Sequence, residues 1–295
     1  LANGRGSAVV AAGLALLAWG GCGRPGGPGS GGGPASDSLL ADAPSAAAAA
    51  GASFLESGVL TTQSQDGGDA TQVASLIAAP MSPAAGNPAG ERFLIGFARA
   101  DGFPASTLSR VRVEFLRDLR VIRVYLPPDV VSTAITENRF TGDYTSAAYV
   151  VRSLHDAQLY VDLHLRSPAV ARATVQTAPA LVVVELRGGG PMMPPAPLEG
   201  ANVVVLTPPR EGRVSYPLEI TGYGRTFEAN VVAQLKREGR LLGSARANAA
   251  DYASAWGEFR MRIDDGPKGT MQLFVGEFSA EDGAPRGVTT DLHVE

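Results

Sequence analysis

From Glu91 onward apolar residues recur at every second position, and this period limits the fold more than any other feature. Val111, Val113 and Phe115 alternate with Arg110, Arg112 and Glu114. Ile122, Val124 and Leu126 alternate with Arg123 and Tyr125. Leu159, Val161, Leu163 and Leu165 alternate with Tyr160, Asp162, His164 and Arg166, and Val182, Val184 and Leu186 close the series. A period of two gives each segment one apolar face, which describes a half-buried strand rather than a helix. Pro127-Pro128, Thr141-Gly142-Asp143 and Ser167-Pro168 separate the strands, and Thr174–Pro179 reads as a further connector.

A second series follows a Gly/Pro-rich hinge. Val203–Leu206, Leu218 to Gly222, Val231 to Leu235, Phe259 to Ile263, Met271 to Val275 and Leu292 to Val294 alternate in the same way. Arg237-Glu238-Gly239 has the composition of a hairpin turn. About seven short strands in one stretch, with turn signals between them, predict an immunoglobulin-like sandwich. The expected fold is therefore all-β: a C-terminal immunoglobulin-like β-sandwich, preceded by a second β-rich domain and a disordered N-terminal tether. The boundaries are 1–22 for a signal segment, 23–90 for a linker, 91–190 for the first β domain, 191–200 for a hinge and 201–295 for the second.

The N-terminal segment differs in kind. Arg5 is the only charge before residue 24, and an apolar run from Ala8 to Ala18 follows it. That is the pattern of a secretory signal and is too short to span a bilayer. The next residues, Trp19-Gly20-Gly21-Cys22, resemble a bacterial lipoprotein processing site. The resemblance implies a diacylated Cys22 at the start of the mature chain. Two acyl chains at about 0.8 kcal/mol per buried CH₂ suffice for stable attachment. Gly23 to Asp37 is a Gly/Pro/Ser tether. Residues 38–90 are Ala/Ser/Gly/Pro-rich, contain no Lys or Arg, and read as linker with transient helices over Ser45–Glu56 and Thr71–Ala79.

Composition removes several function classes. A net charge of −4 argues against nucleic-acid binding. Cys22 is the single cysteine, so disulfides, Cys-ligated zinc and CxxC redox chemistry are excluded. The sequence holds no GxSxG and no HExxH, and Gly222-Tyr223-Gly224 lacks the third glycine of a dinucleotide loop. His293 is expected on the outer face of a terminal strand, His155-Asp156 in a turn, and Asp264-Asp265 and Glu281-Asp282 in solvated loops. Asp162 and His164 lie two apart on one strand, hence on one face, a spacing a metal can use. The plainer reading makes Tyr160, Asp162, His164 and Arg166 the solvent face of a half-buried strand. Residues 91–190 carry twelve Arg against ten acids. Their ladder Arg110, Arg112, Arg117, Arg120 and Arg123 can meet an anionic polymer through bidentate hydrogen bonds, or be ordinary sheet-surface charge interleaved with Glu114 and Asp118. The candidate binding residues are thus Arg110, Arg112, Arg123, Tyr160, Asp162 and His164. No cofactor, metal or catalytic residue is expected.

Two resemblances add to this reading. The turn Leu206-Thr207-Pro208-Pro209-Arg210-Glu211-Gly212-Arg213-Val214 opens a series of blocks. Leu218-Glu219-Ile220-Thr221-Gly222-Tyr223-Gly224-Arg225-Thr226-Phe227-Glu228-Ala229, Glu238-Gly239-Arg240-Leu241-Leu242, Trp256-Gly257-Glu258-Phe259 and Phe278-Ser279-Ala280-Glu281-Asp282-Gly283 follow in order. Together, residues 203–295 resemble the immunoglobulin-like domain of bacterial spore germination, a domain of envelope lipoproteins. The stretch from Ala148-Tyr149-Val150-Val151-Arg152 to Val182-Val183-Val184-Glu185-Leu186 resembles, more faintly, the AMIN type of envelope domain. That likeness implies contact with peptidoglycan or another envelope polymer. The expected protein is a non-catalytic binding or scaffolding module, extracytoplasmic and held to the cell membrane by its N-terminal lipid. Its partners are envelope polymers or envelope proteins. The rivals are an accessory metal-dependent hydrolase using Asp162 and His164, and a structural spacer in a protein assembly.

Overall fold

The computed structural model describes residues 53–83 and 89–295. The first strands are β1 (Gly58–Ser64), β2 (Gln72–Met81), β3 (Gly90–Ala98), β4 (Arg110–Leu116), β5 (Val121–Tyr125) and β6 (Ser132–Thr133). They are followed by β7 (Glu137–Arg139), β8 (Thr145–Arg152), β9 (Leu159–Leu165), β10 (Ala169–Gln176) and β11 (Leu181–Gly188). The second body holds β12 (Leu198–Glu199), β13 (Val203–Thr207), β14 (Arg213–Val214), β15 (Leu218–Gly224) and β16 (Asn230–Arg237). It is completed by β17 (Arg240–Asn248), β18 (Trp256–Ile263), β19 (Gly269–Phe278) and β20 (Pro285–Val294). Among the described residues the only helical pieces are two 3-10 turns, Arg117–Leu119 and Phe227–Ala229. The fold is all-β, with the immunoglobulin-like sandwich at the C-terminus, as the alternation predicts.

Two sandwiches share one long sheet. It runs β1-β4-β5-β9-β8-β18-β15-β13-β12, with β7 also paired to β8. The sheet β10-β11-β3-β2-β6 covers its first half, and the sheet β14-β20-β19-β16-β17 covers its second. Phe93, Ile95, Val113, Phe115, Ile122 and Val184 fill the first core. Val205, Ile220, Val231, Phe259, Leu273 and Val275 fill the second. Each fully buried side chain of this size contributes roughly 1.5–3 kcal/mol, which is how a domain without disulfides is held together. Strand β3 is buried on both faces, and Leu94, Leu181 and Val183 form a small apolar cluster on the face away from the first core.

Three sequence expectations are corrected. Residues 58–81, placed in the linker, form β1 and β2. Val73 and Leu76 of β2 are buried in the first core, and β2 pairs along β3. A bulge between Val73 and Ser75 shifts the phase, so inward residues stand three apart, and the period of two is hidden. The predicted transient helix over Thr71–Ala79 is therefore a strand. The part of the linker before residue 53, with the signal segment and Cys22, lies outside the described residues. The connector placed over Thr174–Pro179 is in its first half the end of β10. The Gly/Pro hinge is strapped rather than loose: Arg117 Nη2 donates to the carbonyls of Pro191 and Met192, the latter at 2.9 Å. Arg120 Nη1 donates to the Pro194 carbonyl at 3.2 Å, and Met193 is buried against the first core.

The joint between the bodies is short. Strands β8 and β18 run parallel and pair only through Val151 with Trp256 and Arg152 with Gly257. On the sheet path β9 and β15 are three strand spacings apart, about 14 Å in a flat sheet. Yet the rings of His164 on β9 and Tyr223 on β15 lie 6.0 Å apart. The sheet folds at this joint, and its outer faces close on one another.

Candidate functional site

Strand β9 alternates as expected, but all seven of its residues are buried. The face carrying Tyr160, Asp162 and His164 is covered by Val204 and Leu206 of β13 and Tyr223 of β15. The expected solvent face is thus corrected: Asp162 is 0% and His164 1% exposed. Alternation reports that a strand has two unlike faces, and it does not reveal a second sandwich lying on the polar one.

Buried charge needs compensation, and the register supplies it. Strand pairing sets Glu114 beside Arg123, and Arg123 beside Asp162. Arg123 donates from Nε and Nη2 to the two Asp162 oxygens at 2.7 and 2.8 Å. Its guanidinium lies 4.1 Å from the centre of the Tyr160 ring. Burial alone lowers the Arg123 pKa, but the Asp162 carboxylate outweighs it and raises the value further. His164 Nδ1 meets Glu199 Oε1 at 2.6 Å, and Nε2 meets the Tyr223 hydroxyl. One tautomer satisfies all three groups: Nδ1–H donates to Glu199, and the Tyr223 hydroxyl donates to Nε2. Arg139 Nη1 donates to the other Glu199 oxygen at 3.0 Å. Burial pushes the Glu199 carboxyl up, but His164 and Arg139 outweigh it and hold it below the usual range. Tyr149 and Trp256 stack edge-on at 5.0 Å and complete an aromatic cluster with Tyr223.

Asp162 and His164 therefore each face a protein partner of their own. Among the described residues no three His, Cys, Asp or Glu side chains gather as a metal would need. His293 is exposed on β20, and His155 is exposed in a turn.

The arginine ladder divides by strand. Arg117 and Arg120 hold the segment between the bodies, and Arg123 is nearly enclosed. Arg110 and Arg112 are exposed. Arg112 donates to Glu114 Oε2 at 2.9 Å and lies 5.6 Å over the Tyr125 ring. The candidate binding residues are thus brought to one sheet face, but only its β4 part, next to the edge strand β1, meets solvent as a basic surface.

Where that face runs under the second body, a cavity of about 210 Å³ opens. Its lining includes Arg123, Tyr125 and Tyr160 from the sheet, Ser153, His155, Asp156 and Gln158 from the β8–β9 turn, and Glu258 from β18. The Tyr125 and Tyr160 rings are 6.5 Å apart and tilted by 47°. The Tyr160 hydroxyl is buried without a hydrogen-bond partner. Glu258 Oε2 accepts the Leu154 backbone N–H at 2.9 Å, fixing the turn to the second body. Arg152 ties three segments together. It donates from Nε to Asp251 at 2.9 Å, from Nη1 to the Ala157 carbonyl at 2.9 Å and from Nη2 to the Val131 carbonyl at 3.3 Å.

Arg152, Glu199, Tyr223, Trp256 and Glu258 were not singled out by the sequence. Each acts across the joint between the bodies, and their own strands carry no sign of that contact. The Trp256-Gly257-Glu258-Phe259 block was the nearest signal, visible as a family feature rather than as a joint.

Comparison with known proteins is confined to the second body. Residues 202–284 match the family described as the immunoglobulin-like domain of bacterial spore germination. No curated protein and no solved structure matches the chain. The matched residues run from the start of β13 past the end of β19 and so carry Tyr223, Trp256 and Glu258 into the joint.

Proposed function

We propose that this chain is a non-catalytic binding and scaffolding module of the bacterial cell envelope, held at the membrane by a lipid on Cys22. One observation carries the reading. The side chains best suited to chemistry, Asp162 and His164, are buried at the joint and engaged by Arg123, Glu199 and Tyr223. His164 locks the two sandwiches into a single presenting body through Glu199 and Tyr223, while Asp162 compensates Arg123 within the first. The immunoglobulin-like match supports an envelope setting, and the exposed Arg110 and Arg112 of β4 support contact with a polymer or protein of that compartment. Residues 91–190 then act as the partner-facing half, in keeping with their AMIN-like closing strands.

The test is fractionation of the full chain in a bacterial host. Native protein should sediment with membranes after a high-salt wash, and Cys22→Ser should appear in the soluble extracytoplasmic fraction. The purified Cys22→Ser chain should then be enriched on envelope material over a charge-matched control. Retention of Cys22→Ser on membranes, or no enrichment, counts against the proposal.

A further inference from the structure

We propose that the 210 Å³ cavity at the joint is a docking pocket for one basic side chain of a partner protein, an arginine in the best fit. This rests on reading the chain as a binding module and names the chemistry of what it binds. A pocket of this size lies below the roughly 300–1,000 Å³ of sites that hold drug-sized ligands or cofactors. It has room for one side chain.

Its charge selects the sign. Arg123 is the cation in the lining, and Asp162 already neutralises it through two hydrogen bonds. Asp156 and Glu258 remain. Glu258 uses one oxygen for the Leu154 amide, which leaves the other for a ligand. Hydrogen bonding from Ser153 outweighs the upward push of burial and lowers the Asp156 pKa, so that carboxylate stays charged. A cation is therefore the complementary guest.

The walls select its shape. Tyr125 is partly exposed, and the enclosed Tyr160 hydroxyl, which can donate or accept, has no hydrogen-bond partner. A guanidinium is planar, stacks on an aromatic face and presents several N–H groups at once. The same sheet already shows this pairing twice, with Arg123 over Tyr160 beside Asp162 and Arg112 over Tyr125 beside Glu114.

The surroundings suit a protein partner. Leu154 (48% exposed) stands between the lining residues Ser153 and His155, and Arg152 ties the segments that carry Val131 (61%) and Tyr252 (49%) to the same turn. Apolar contacts of this kind exclude water around a charged centre, as the neutral ring does around a binding hot spot. The second sandwich contributes Glu258, so the site is complete only when the two are joined.

The test is titration of the full-length Cys22→Ser chain, followed by tyrosine and backbone NMR shifts. The probes are an acetylated, amidated alanine pentapeptide with central arginine, its citrulline counterpart, and a trimer of N-acetylglucosamine. The arginine peptide should shift Tyr125 and the residues 153–158, and the citrulline peptide should bind at least about fivefold more weakly. Glu258→Gln keeps an acceptor for the Leu154 amide and removes the charge. It should cut the arginine peptide's affinity by about three- to tenfold and leave the citrulline peptide unchanged. Tyr125→Ala should weaken the arginine peptide as well. Equal binding of the two peptides, a response to the sugar trimer alone, or indifference to both substitutions would overturn the assignment. If the chain is nonetheless enriched on envelope material, the binding-module reading stands and only this pocket falls.

Discussion

Asp162 shows how a single residue can look functional and be structural. Its oxygens are filled by Arg123, and the pair is almost wholly enclosed. Removing one member leaves the other charge buried and uncompensated, at a cost of about 3–5 kcal/mol. Asp162→Ala should lower the unfolding free energy measured in urea by that amount, and Arg123→Met with Asp162→Leu should recover much of it. A double variant as unstable as the single one would show that the pair itself, not the orphaned charge, sets the stability. Gly222 is a second such position. The Val204 carbonyl and the Phe259 ring occupy the space a Cβ would need, so Gly222→Ala should destabilise the second sandwich in the same assay. Asp251 gives the joint a pH dependence. Burial raises its pKa, but the Ser254 hydroxyl, Arg152 and the Ser254 and Ala253 amides outweigh this and hold it well below the usual carboxylate range. A carboxyl depressed on folding contributes stability above its unfolded value, near pH 4, and loses it as pH falls through the folded value. The acid arm of a stability profile should therefore flatten in Asp251→Asn, while the neutral region drops. An unchanged acid arm would remove Asp251 from the joint's energetics.

Strands with unbroken alternation could be read from the sequence, and those with a bulge or weak side chains could not. Strands β4, β5, β9, β13, β15, β18 and β19 lie where period two places them. The Arg237-Glu238-Gly239 turn is also in place, with positive φ at Glu238 and Gly239 as a two-residue hairpin needs. Strand β2 escaped because its bulge breaks the phase, and β17 because Gly243, Ser244, Ala245 and Ala247 carry little apolar signal on a mostly exposed edge. The burial of Tyr160, Asp162 and His164 escaped for a different reason. It is decided by residues some 40 to 60 positions away on β13 and β15, and a period measured within one strand holds no information about them. The corrected boundary has a direct consequence. A chain starting at residue 91 lacks β1 and β2 and exposes the core edge that Val73 and Leu76 cover. It should be insoluble or rapidly digested, whereas a chain starting at residue 53 should resist limited protease and keep the strand signal in far-UV circular dichroism. Equal resistance of the two would mean that β1 and β2 are dispensable decoration.

The two sandwiches would ordinarily be expected to move independently across a hinge, as domains joined by small polar interfaces do. Here the link has three layers. The sheet is continuous through β8 and β18, the Arg117 and Arg120 straps hold the connecting segment, and Tyr149, Tyr223 and Trp256 pack between the bodies. Of these, the aromatic cluster is the apolar layer, and Trp256 is fully enclosed within it. The whole described body should therefore unfold in one transition, with calorimetric and van't Hoff enthalpies equal. Truncating Trp256 to alanine removes about 3–5 kcal/mol from the joint while leaving most contacts within each sandwich in place. The scan should then split into two transitions, one per sandwich, and the pocket that needs both bodies should lose its affinity for the arginine peptide in step. Two transitions in the native chain, or a single one surviving in Trp256→Ala with only a lower midpoint, would mean that the sandwiches are coupled otherwise than through this cluster.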